Sequence, residues 1–220
     1  MIDFDDYSTL QAWQIVWSQL QACDQPHGLC ALLPNRRHFA RRSLHTELLI
    51  SPARATLPLL IGQTRCVEIA PSLIAAIPLI GAGPGLTPSW DDLLIGYICG
   101  LRATTAKDWR KVCFLSQFGE GVIIASKLTT AVSRTYIADT IQGRGPSWVE
   151  DVIASIGIGD SALTSHMAAR AMRIGNTSGT DMMLGAVLGS AVWQASTQII
   201  DVLTALSCRY VQPLNSRRTS

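Results

Sequence analysis

The chain has 220 residues, 48% of them hydrophobic, and a formal net charge of +2. This length and composition are typical of a globular protein with a substantial core. One basic cluster (Arg36, Arg37, Arg41 and Arg42) has no regular aromatic interleaving and no recognisable nucleic-acid motif, which argues against nucleic-acid binding. No uninterrupted apolar run reaches the roughly 20 residues of a membrane span. We therefore expect neither nucleic acid nor membrane as a partner.

The first third of the chain predicts one helix followed by short strands. Apolar residues at helical spacing, among them Trp13 and Val16, predict a leading helix over 10–23. Four strand-length apolar runs bounded by turn residues then follow, at 28–33, 47–50, 57–61 and 65–69. These runs predict a small β sheet or partial barrel.

After Gly85 the pattern is helical. The predicted helices cover 89–102, 109–136, 146–156, 161–173 and 178–207, and glycines at 119 and 121 indicate a break in the second. The predicted fold class is therefore α+β. A leading helix and small β subdomain (1–80) pack on a mostly helical domain (81–212), and a disordered tail follows (213–220).

One pattern occurs twice, 89 positions apart, beginning at Ser89 and at Ser178. It reads Ser-x-x-Asp, three apolar residues, Gly, three further residues, Gly. Because glycine makes up about 7% of average proteins, two glycines match at fixed offsets by chance in roughly one of two hundred trials. The repetition is therefore informative.

Each copy predicts a helix start followed by a glycine face. A serine three residues before an acidic residue is typical of a capping box, in which Asp92 and Asp181 would reach back to the serine amides. Glycines four and eight positions after each aspartate lie on one helix face. Each costs about 1 kcal/mol relative to alanine, which favours a packing reason. We expect the two glycine-faced helices to cross closely as a pseudo-symmetric pair, with polar starts that meet if the crossing direction allows.

The segment before the first helix is the densest candidate for ligand binding. Glycines ahead of a helix start allow close approach of a ligand, and helix N-termini favour anions. The carboxylates suit a Mg²⁺ ion that meets a phosphate, or they only compensate the helix dipole. The candidate residues here are two glycines, two hydroxyl residues and two carboxylates: Gly83, Gly85, Thr87, Ser89, Asp91 and Asp92.

Two further segments add polar residues. The second helix start offers Asn176, Thr177, Ser178 and Asp181, which a turn followed by a cap would also explain. Between the two starts, Lys127, Thr129 and Thr130 form either a positive, hydroxyl-bearing site or a solvated face. No spacing typical of a metal-binding histidine pair or of a nucleophilic serine is present.

At these same residues the chain resembles the AllH-like subunits of oxamate carbamoyltransferase. The resemblance covers roughly 27–200 and rests on 81–92 with Gly96, on 128–133, and on 175–181 with Gly185. Trp90 stands where the family usually has glycine. The resemblance implies a subunit that helps to interconvert carbamoyl phosphate plus oxamate with oxalurate plus phosphate, in purine and allantoin degradation. It also implies FdrA-like and other partner subunits.

The leading hypothesis is a carbamoyltransferase-type subunit whose pocket for a small anionic substrate lies at the two helix starts. The hydroxyls would donate hydrogen bonds, Asp91 and Asp92 would hold Mg²⁺ or orient an amide, and Lys127 would offset phosphate charge. The alternative is a non-catalytic scaffold or small-molecule-binding subunit in which both motifs only cap and pack helices.

Six cysteines without a C-x-x-C pair, and an N-terminus without signal-peptide features, indicate a cytoplasmic protein. A homo-oligomer is compatible with either hypothesis.

Overall fold

The protein is described by a computed structural model over residues 1–23, 28–33, 44–105 and 108–194. Within these ranges, none of the helices combines the length and apolar character needed to cross a bilayer. The cytoplasmic location stays a prediction. The described α helices are α1 (Tyr7–Ala22), α2 (Leu44–Arg65), α3 (Ile69–Ala76), α4 (Ser89–Thr104), α5 (Trp109–Ala125), α6 (Ala131–Ile141), α7 (Ser147–Ile158), α8 (Ser161–Ala171) and α9 (Ser178–Ala191).

The predicted α+β class and its N-terminal β subdomain are wrong, because the described residues contain helices and no strand. The first predicted strand contains a short 3-10 helix, Leu29–Leu32, and the next two lie inside α2. Leu49, Leu57 and Leu60 are buried at intervals of eight and three, which is helical spacing. Apolar runs of this length are compatible with a strand or with a helix. Here the segment is helical, and it buries one face of α2.

The predicted break inside the second helix of the body also lies elsewhere. Helix α5 continues through Gly119 and Gly121 to Ala125, and a 3-10 helix at Ser126–Leu128 separates it from α6. A Cβ on either glycine would press on a side chain of a neighbouring helix, Ile141 or Leu73. These glycines therefore serve close packing and do not end the helix.

Helices α4 and α9 form the centre of the fold, and almost every residue of both is buried. Helices from residues 1–80 and from residues 81–194 surround this pair. The indole Nε1 of Trp13 on α1 donates to Val187 O at 3.3 Å and to Ser190 Oγ at 3.2 Å. One core thus includes residues from 1–80 and from 81–194. The continuation of α9 to 207 and the tail at 213–220 lie outside the described residues.

The glycines of α4 and α9 face each other. A Cβ on Gly96 would overlap the carbonyl oxygen of Met182, and a Cβ on Gly185 would overlap that of Leu93. These contacts are equivalent, because Met182 follows Leu93 by the same 89 positions that separate the glycines. The pair therefore has local twofold pseudo-symmetry.

The next contacts give the direction of the two helices. Gly96 faces Met182 and Ala186, and Gly100, one turn later, faces Ala186 and Ser190. The contacts advance in the same sense along both helices, so α4 and α9 run parallel. Both N-termini consequently lie at the same end of the pair.

Candidate functional site

The serines that open the repeated motif are the first residues of their helices and not the caps. Pro88 and Thr177 occupy the cap positions, and neither helix has a side-chain capping hydrogen bond. The predicted capping boxes are therefore wrong. Pro88 has φ −54° and ψ 141°, an extended conformation that makes Ser89 the first helical residue. The serine hydroxyls are left available for other contacts.

The two helix starts border a cavity of about 480 Å³. Thr87 Oγ1 and Ser178 Oγ lie 3.2 Å apart and join the loop before α4 to the start of α9. Six of the predicted site residues line the cavity: Gly85, Thr87, Ser89, Asn176, Thr177 and Ser178. Four further lining residues were not predicted: Gly28, Leu49, Pro84 and Leu86.

Asp92 lies beneath this lining and is completely buried. Neither of its carboxyl oxygens has a hydrogen-bond partner of normal geometry among the described residues. Burial raises the pKa of Asp92 to about 7, and the nearby carboxyl groups of Asp181 and Asp91 also raise it. The hydroxyls of Ser178 and Thr87 are close enough to oppose this rise. Asp92 is thus a buried carboxyl whose polar neighbours are two hydroxyls of the cavity lining and two other carboxyl groups.

Asp181, the counterpart of Asp92 on α9, is also completely buried. Its Oδ1 accepts a hydrogen bond of 2.7 Å from the backbone N–H of Leu29, whereas its Oδ2 has no partner among the described residues. Burial raises the pKa of Asp181 to about 6, and the Leu29 amide and the Ser89 hydroxyl oppose that rise. Each aspartate therefore stands beside the serine that begins the other helix.

Asp91 has a different environment from Asp92. Its Oδ1 accepts from the backbone N–H of Gly81 at 2.8 Å, and its Oδ2 accepts from the hydroxyl of Thr129. Gly83 has φ +119°, and a Cβ there would meet the amide nitrogen of Ser89 at 2.8 Å. Asp91 and Gly83 thus hold the loop against the start of α4, outside the cavity lining.

The remaining predicted residues lie outside the lining as well. The Thr130 hydroxyl donates to Leu86 O and accepts from Ser133 N at 3.1 Å, so Thr130 caps α6 and holds the loop. Lys127 is exposed and does not border the cavity. Its role in binding stays a prediction.

Two lining residues, Gly28 and Leu49, belong to segments that the sequence predicts to be strands. Gly28 has φ +84°, and a Cβ there would meet Asp181 Oδ1 at 2.9 Å. Leu49 is placed by Trp90, whose indole Nε1 donates to Leu49 O at 2.8 Å. Trp90 is itself buried behind the lining. Both contacts join residues far apart in sequence, and no local pattern indicates them.

The described residues offer few side chains that could bind a metal ion. Within the described ranges, no cluster of three or more histidine, cysteine, aspartate or glutamate residues is arranged to hold a metal ion. Of the two predicted metal ligands, Asp91 is engaged by Gly81 and Thr129, and Asp92 has both oxygens unpartnered. Binding of Mg²⁺ stays a prediction.

Residues 79–190, just over half of the chain, match the family model described as oxamate carbamoyltransferase subunit AllH. The chain belongs to this family, and the resemblance predicted from its motifs is confirmed. No curated protein and no solved structure matches the chain. The matched span contains α4, most of α9 and every lining residue of the cavity except Gly28 and Leu49.

Proposed function

We propose that this chain is the oxamate carbamoyltransferase subunit that binds a small anionic substrate in the cavity between the starts of α4 and α9. The reaction would interconvert carbamoyl phosphate plus oxamate with oxalurate plus phosphate. The observation that carries the proposal is the junction of two parallel helix N-termini at a hydroxyl-lined cavity. The family of the chain supports this reaction class.

The electrostatics of the helix starts favour an anion. Each helix N-terminus is equivalent to roughly half a positive elementary charge, and first-turn amides lack partners within the helix. Because α4 and α9 run parallel, both positive ends act on the same cavity. A volume of about 480 Å³ is within the range of small-molecule sites.

Fixed hydroxyl groups would orient the substrate. The four that line the cavity come from both helix starts: Thr87, Ser89, Thr177 and Ser178. Such donors stabilise charge that develops on a carbonyl oxygen during transfer of an acyl-type group. Mg²⁺, when bound, would supply charge neutralisation of a phosphate, and Asp92 is the carboxyl that would hold it. Asp91 would position the loop.

The chain would act together with partner subunits. The family name describes a subunit, and the FdrA-like partner implied by the resemblance would supply residues that this cavity lacks. No described side chain of the lining is a general base with a free path to substrate. Complete turnover is therefore expected of the assembled enzyme.

The test is isothermal titration calorimetry with oxamate and with carbamoyl phosphate, for the chain alone and with its partner subunits. Ser89→Ala removes a lining hydroxyl and is expected to weaken oxamate binding about tenfold, since one hydrogen bond to a charged group contributes about 1.5 kcal/mol. Ser147→Ala is the matched control. Ser147 follows a proline, precedes a tryptophan and begins α7, as Ser89 begins α4, but it is exposed and outside the cavity.

Two results would contradict the proposal. One is the absence of heat with either ligand under all conditions, while the complex with the partner subunits still assembles. The other is an equal loss of affinity in Ser89→Ala and Ser147→Ala. The first result is what a non-catalytic scaffold subunit would give.

A further inference from the structure

Exposed aliphatic side chains form a surface beside the cavity. They come from α3 and the 3-10 helix that follows it, from the end of α5 and the 3-10 helix that follows it, and from the loop before α4. Single exposed aliphatic residues are ordinary on protein surfaces, whereas a contiguous group is typical of an interaction site. We call this surface the apolar face, and its residues, exposed by 39% to 73%, are Ile74, Ile77, Leu86, Ile124 and Leu128.

Two contacts align the α3 segment with the end of α5. A Cβ on Gly121 would press on the side chain of Leu73, and a Cβ on Gly81 would meet the carbonyl oxygen of Leu128. The two segments therefore run side by side in the same sense, from the first contact to the second. The exposed members of the apolar face that lie between these contacts are Ile74, Ile77 and Ile124.

Leu86 extends the apolar face to the rim of the cavity. The hydroxyl of Thr130, two residues after Leu128, donates to Leu86 O and holds the loop beside the 3-10 helix. Leu86 lines the cavity and is 73% exposed. A protein that covers the apolar face therefore also reaches the opening of the cavity.

The segments that build the apolar face carry almost no charge. Charged residues make up 15% of the chain, yet residues 69–90 and 121–133 contain one, Lys127. Lys127 is exposed and lies between Ile124 and Leu128. Depletion of charge around exposed aliphatic and aromatic side chains is typical of the centre of a protein interface.

The single cation indicates what covers the apolar face. In a symmetric contact of two copies, the face would meet a second face without a carboxylate for Lys127, since residues 69–90 and 121–133 contain no acidic residue. Residues 195–220 of the same chain contain one acidic and three basic residues, so they also offer little negative charge. The family description names a subunit, which implies another protein in the enzyme.

We propose that the apolar face is the docking surface for the partner subunit of the enzyme. That partner presents aliphatic side chains together with a carboxylate opposite Lys127, and it covers the rim of the cavity at Leu86. Covering the rim excludes water from the group that is transferred. The position of the partner over a substrate site rests on the proposed function, whereas the docking itself is measured without substrate.

Ile124→Asp tests the aliphatic part of the apolar face. The probes are the purified partner subunits, the FdrA-like one among them, and their affinity for the immobilised chain is measured by biolayer interferometry. We expect the affinity to fall at least about thirtyfold, because a carboxylate would replace an aliphatic side chain at the centre of the interface. Ile158→Asp is the matched control, because Ile158 on α7 is also an isoleucine exposed by 68% but lies outside the face.

Lys127→Glu tests the charge of the partner. Attraction between Lys127 and a carboxylate speeds association, and salt weakens this effect. We expect Lys127→Glu to slow association and to make added salt raise the association rate instead of lowering it. Arg170→Glu reverses an equally exposed cation on α8 and should keep the salt dependence of the unmodified chain.

Hydrogen–deuterium exchange of the unmodified chain gives a readout that does not depend on any variant. Binding of the partner should slow exchange in peptides that cover residues 121–133 and leave those of α7 and α8 unchanged. Circular dichroism of each variant shows whether its helices are intact. If Ile124→Asp does not fold, Leu128→Asp and the exchange measurement provide the test.

Three results would overturn this proposal and leave the proposed function standing. One is partner binding that Ile124→Asp and Ile158→Asp weaken equally, or that leaves exchange at 121–133 unchanged. Another is a dimer of the chain that Ile124→Asp dissociates, and the third is Ile124-dependent retention on phosphatidylcholine–phosphatidylglycerol vesicles. Absence of a complex with any partner subunit would also overturn it, whereas docking without oxamate binding under any condition would overturn only the proposed function.

Discussion

The starts of α4 and α9 share one sequence pattern but place their aspartates in different surroundings. Asp181 is held through Oδ1 by the amide of Leu29, whereas neither oxygen of Asp92 has a hydrogen-bond partner of normal geometry in the described part of the chain. Burial raises the pKa of both aspartates, to about 7 for Asp92 and to about 6 for Asp181. The repeated residues therefore produce the packing of the pair, and residues outside the repeat produce its chemical asymmetry.

The second position of each motif also differs between the two copies. Trp90 uses its indole to reach Leu49 on α2, whereas Gly179, its counterpart, lets α9 approach the carbonyl oxygen of Ala171 at the end of α8. One helix start is thus anchored by a side chain and the other by close backbone contact. Substitutions at matched positions separate what the two copies share from what distinguishes them.

The largest effect is expected where the copies are equivalent. Gly96→Ala and Gly185→Ala each place a Cβ onto a backbone carbonyl of the partner helix, which cannot move as a flexible side chain can. We expect each to lower the free energy of unfolding by at least about 3 kcal/mol, or to prevent folding. Chemical denaturation followed by circular dichroism measures this.

Gly62→Ala is the matched control, because Gly62 lies within α2 and a Cβ there meets nothing within 4 Å. It should raise stability by about 0.5 to 1 kcal/mol through better helix propensity. A Gly96→Ala protein as stable as the unmodified chain would refute the close crossing of α4 and α9.

The next largest effect on stability is expected from the different surroundings of Asp92 and Asp181. The folded-state pKa of Asp92 lies above its unfolded value of 3.8, so the folded state binds more protons and stability falls as pH rises from about 4 to about 7. Asp92→Asn removes this loss. We expect it to stabilise the protein at pH 8 by up to about 4 kcal/mol and to have little effect at pH 4.

Asp181→Asn should show the same sign with a smaller gain, because the pKa of Asp181 is raised only to about 6 and its Oδ1 already has a partner. Urea denaturation of the three proteins from pH 4 to pH 8 measures the difference. A larger gain for Asp181→Asn than for Asp92→Asn would reverse the assignment of the less satisfied carboxyl.

Trp90→Phe tests the side-chain anchor of the α4 start. The substitution keeps an aromatic ring but removes the hydrogen bond from Nε1 to Leu49 O. We expect a loss of about 1 to 3 kcal/mol, because a buried carbonyl is left without its donor. Thermal unfolding measures it, and Trp109→Phe, at an exposed tryptophan of α5, should change little.

The smallest effect is expected at the cap of α6. Thr130→Ala removes the hydroxyl that accepts from Ser133 N and donates to Leu86 O. Loss of such a cap costs about 1 kcal/mol. Thr135→Ala, at an exposed threonine in the same helix, is the comparison, and thermal unfolding of both variants should separate them. Equal stability of the two would exclude Thr130 as a cap.

Much of this arrangement could be predicted from the sequence, because it depends on local periodicity. The glycine spacing after Asp92 and Asp181 predicts the close crossing of α4 and α9, and six of the residues predicted at the two helix starts line one cavity. The α2 region could not be predicted in this way. Apolar runs of four or five residues suit a strand as well as one face of a helix.

The finer features of the site depend on contacts between distant residues. The amide of Leu29 reaches Asp181 across 152 positions, and the indole of Trp90 reaches the carbonyl of Leu49 across 41. Nothing in the local sequence near Gly28 or Leu49 indicates that they face a cavity. The Ser-x-x-Asp pattern predicts a serine at the cap of each helix, but Pro88 and Thr177 occupy that position.

The contact between α4 and α9 has a mechanical consequence. Backbone rests on backbone at Gly96, Gly100, Gly185 and Gly189, with no side chain between them that could change rotamer. The two helices therefore move as one rigid unit, and the bottom of the cavity cannot change shape by sliding of α4 along α9. Any change in the shape of the cavity therefore falls to its exposed rim, where Pro84, Gly85 and Leu86 lie on one side and Asn176 on the other.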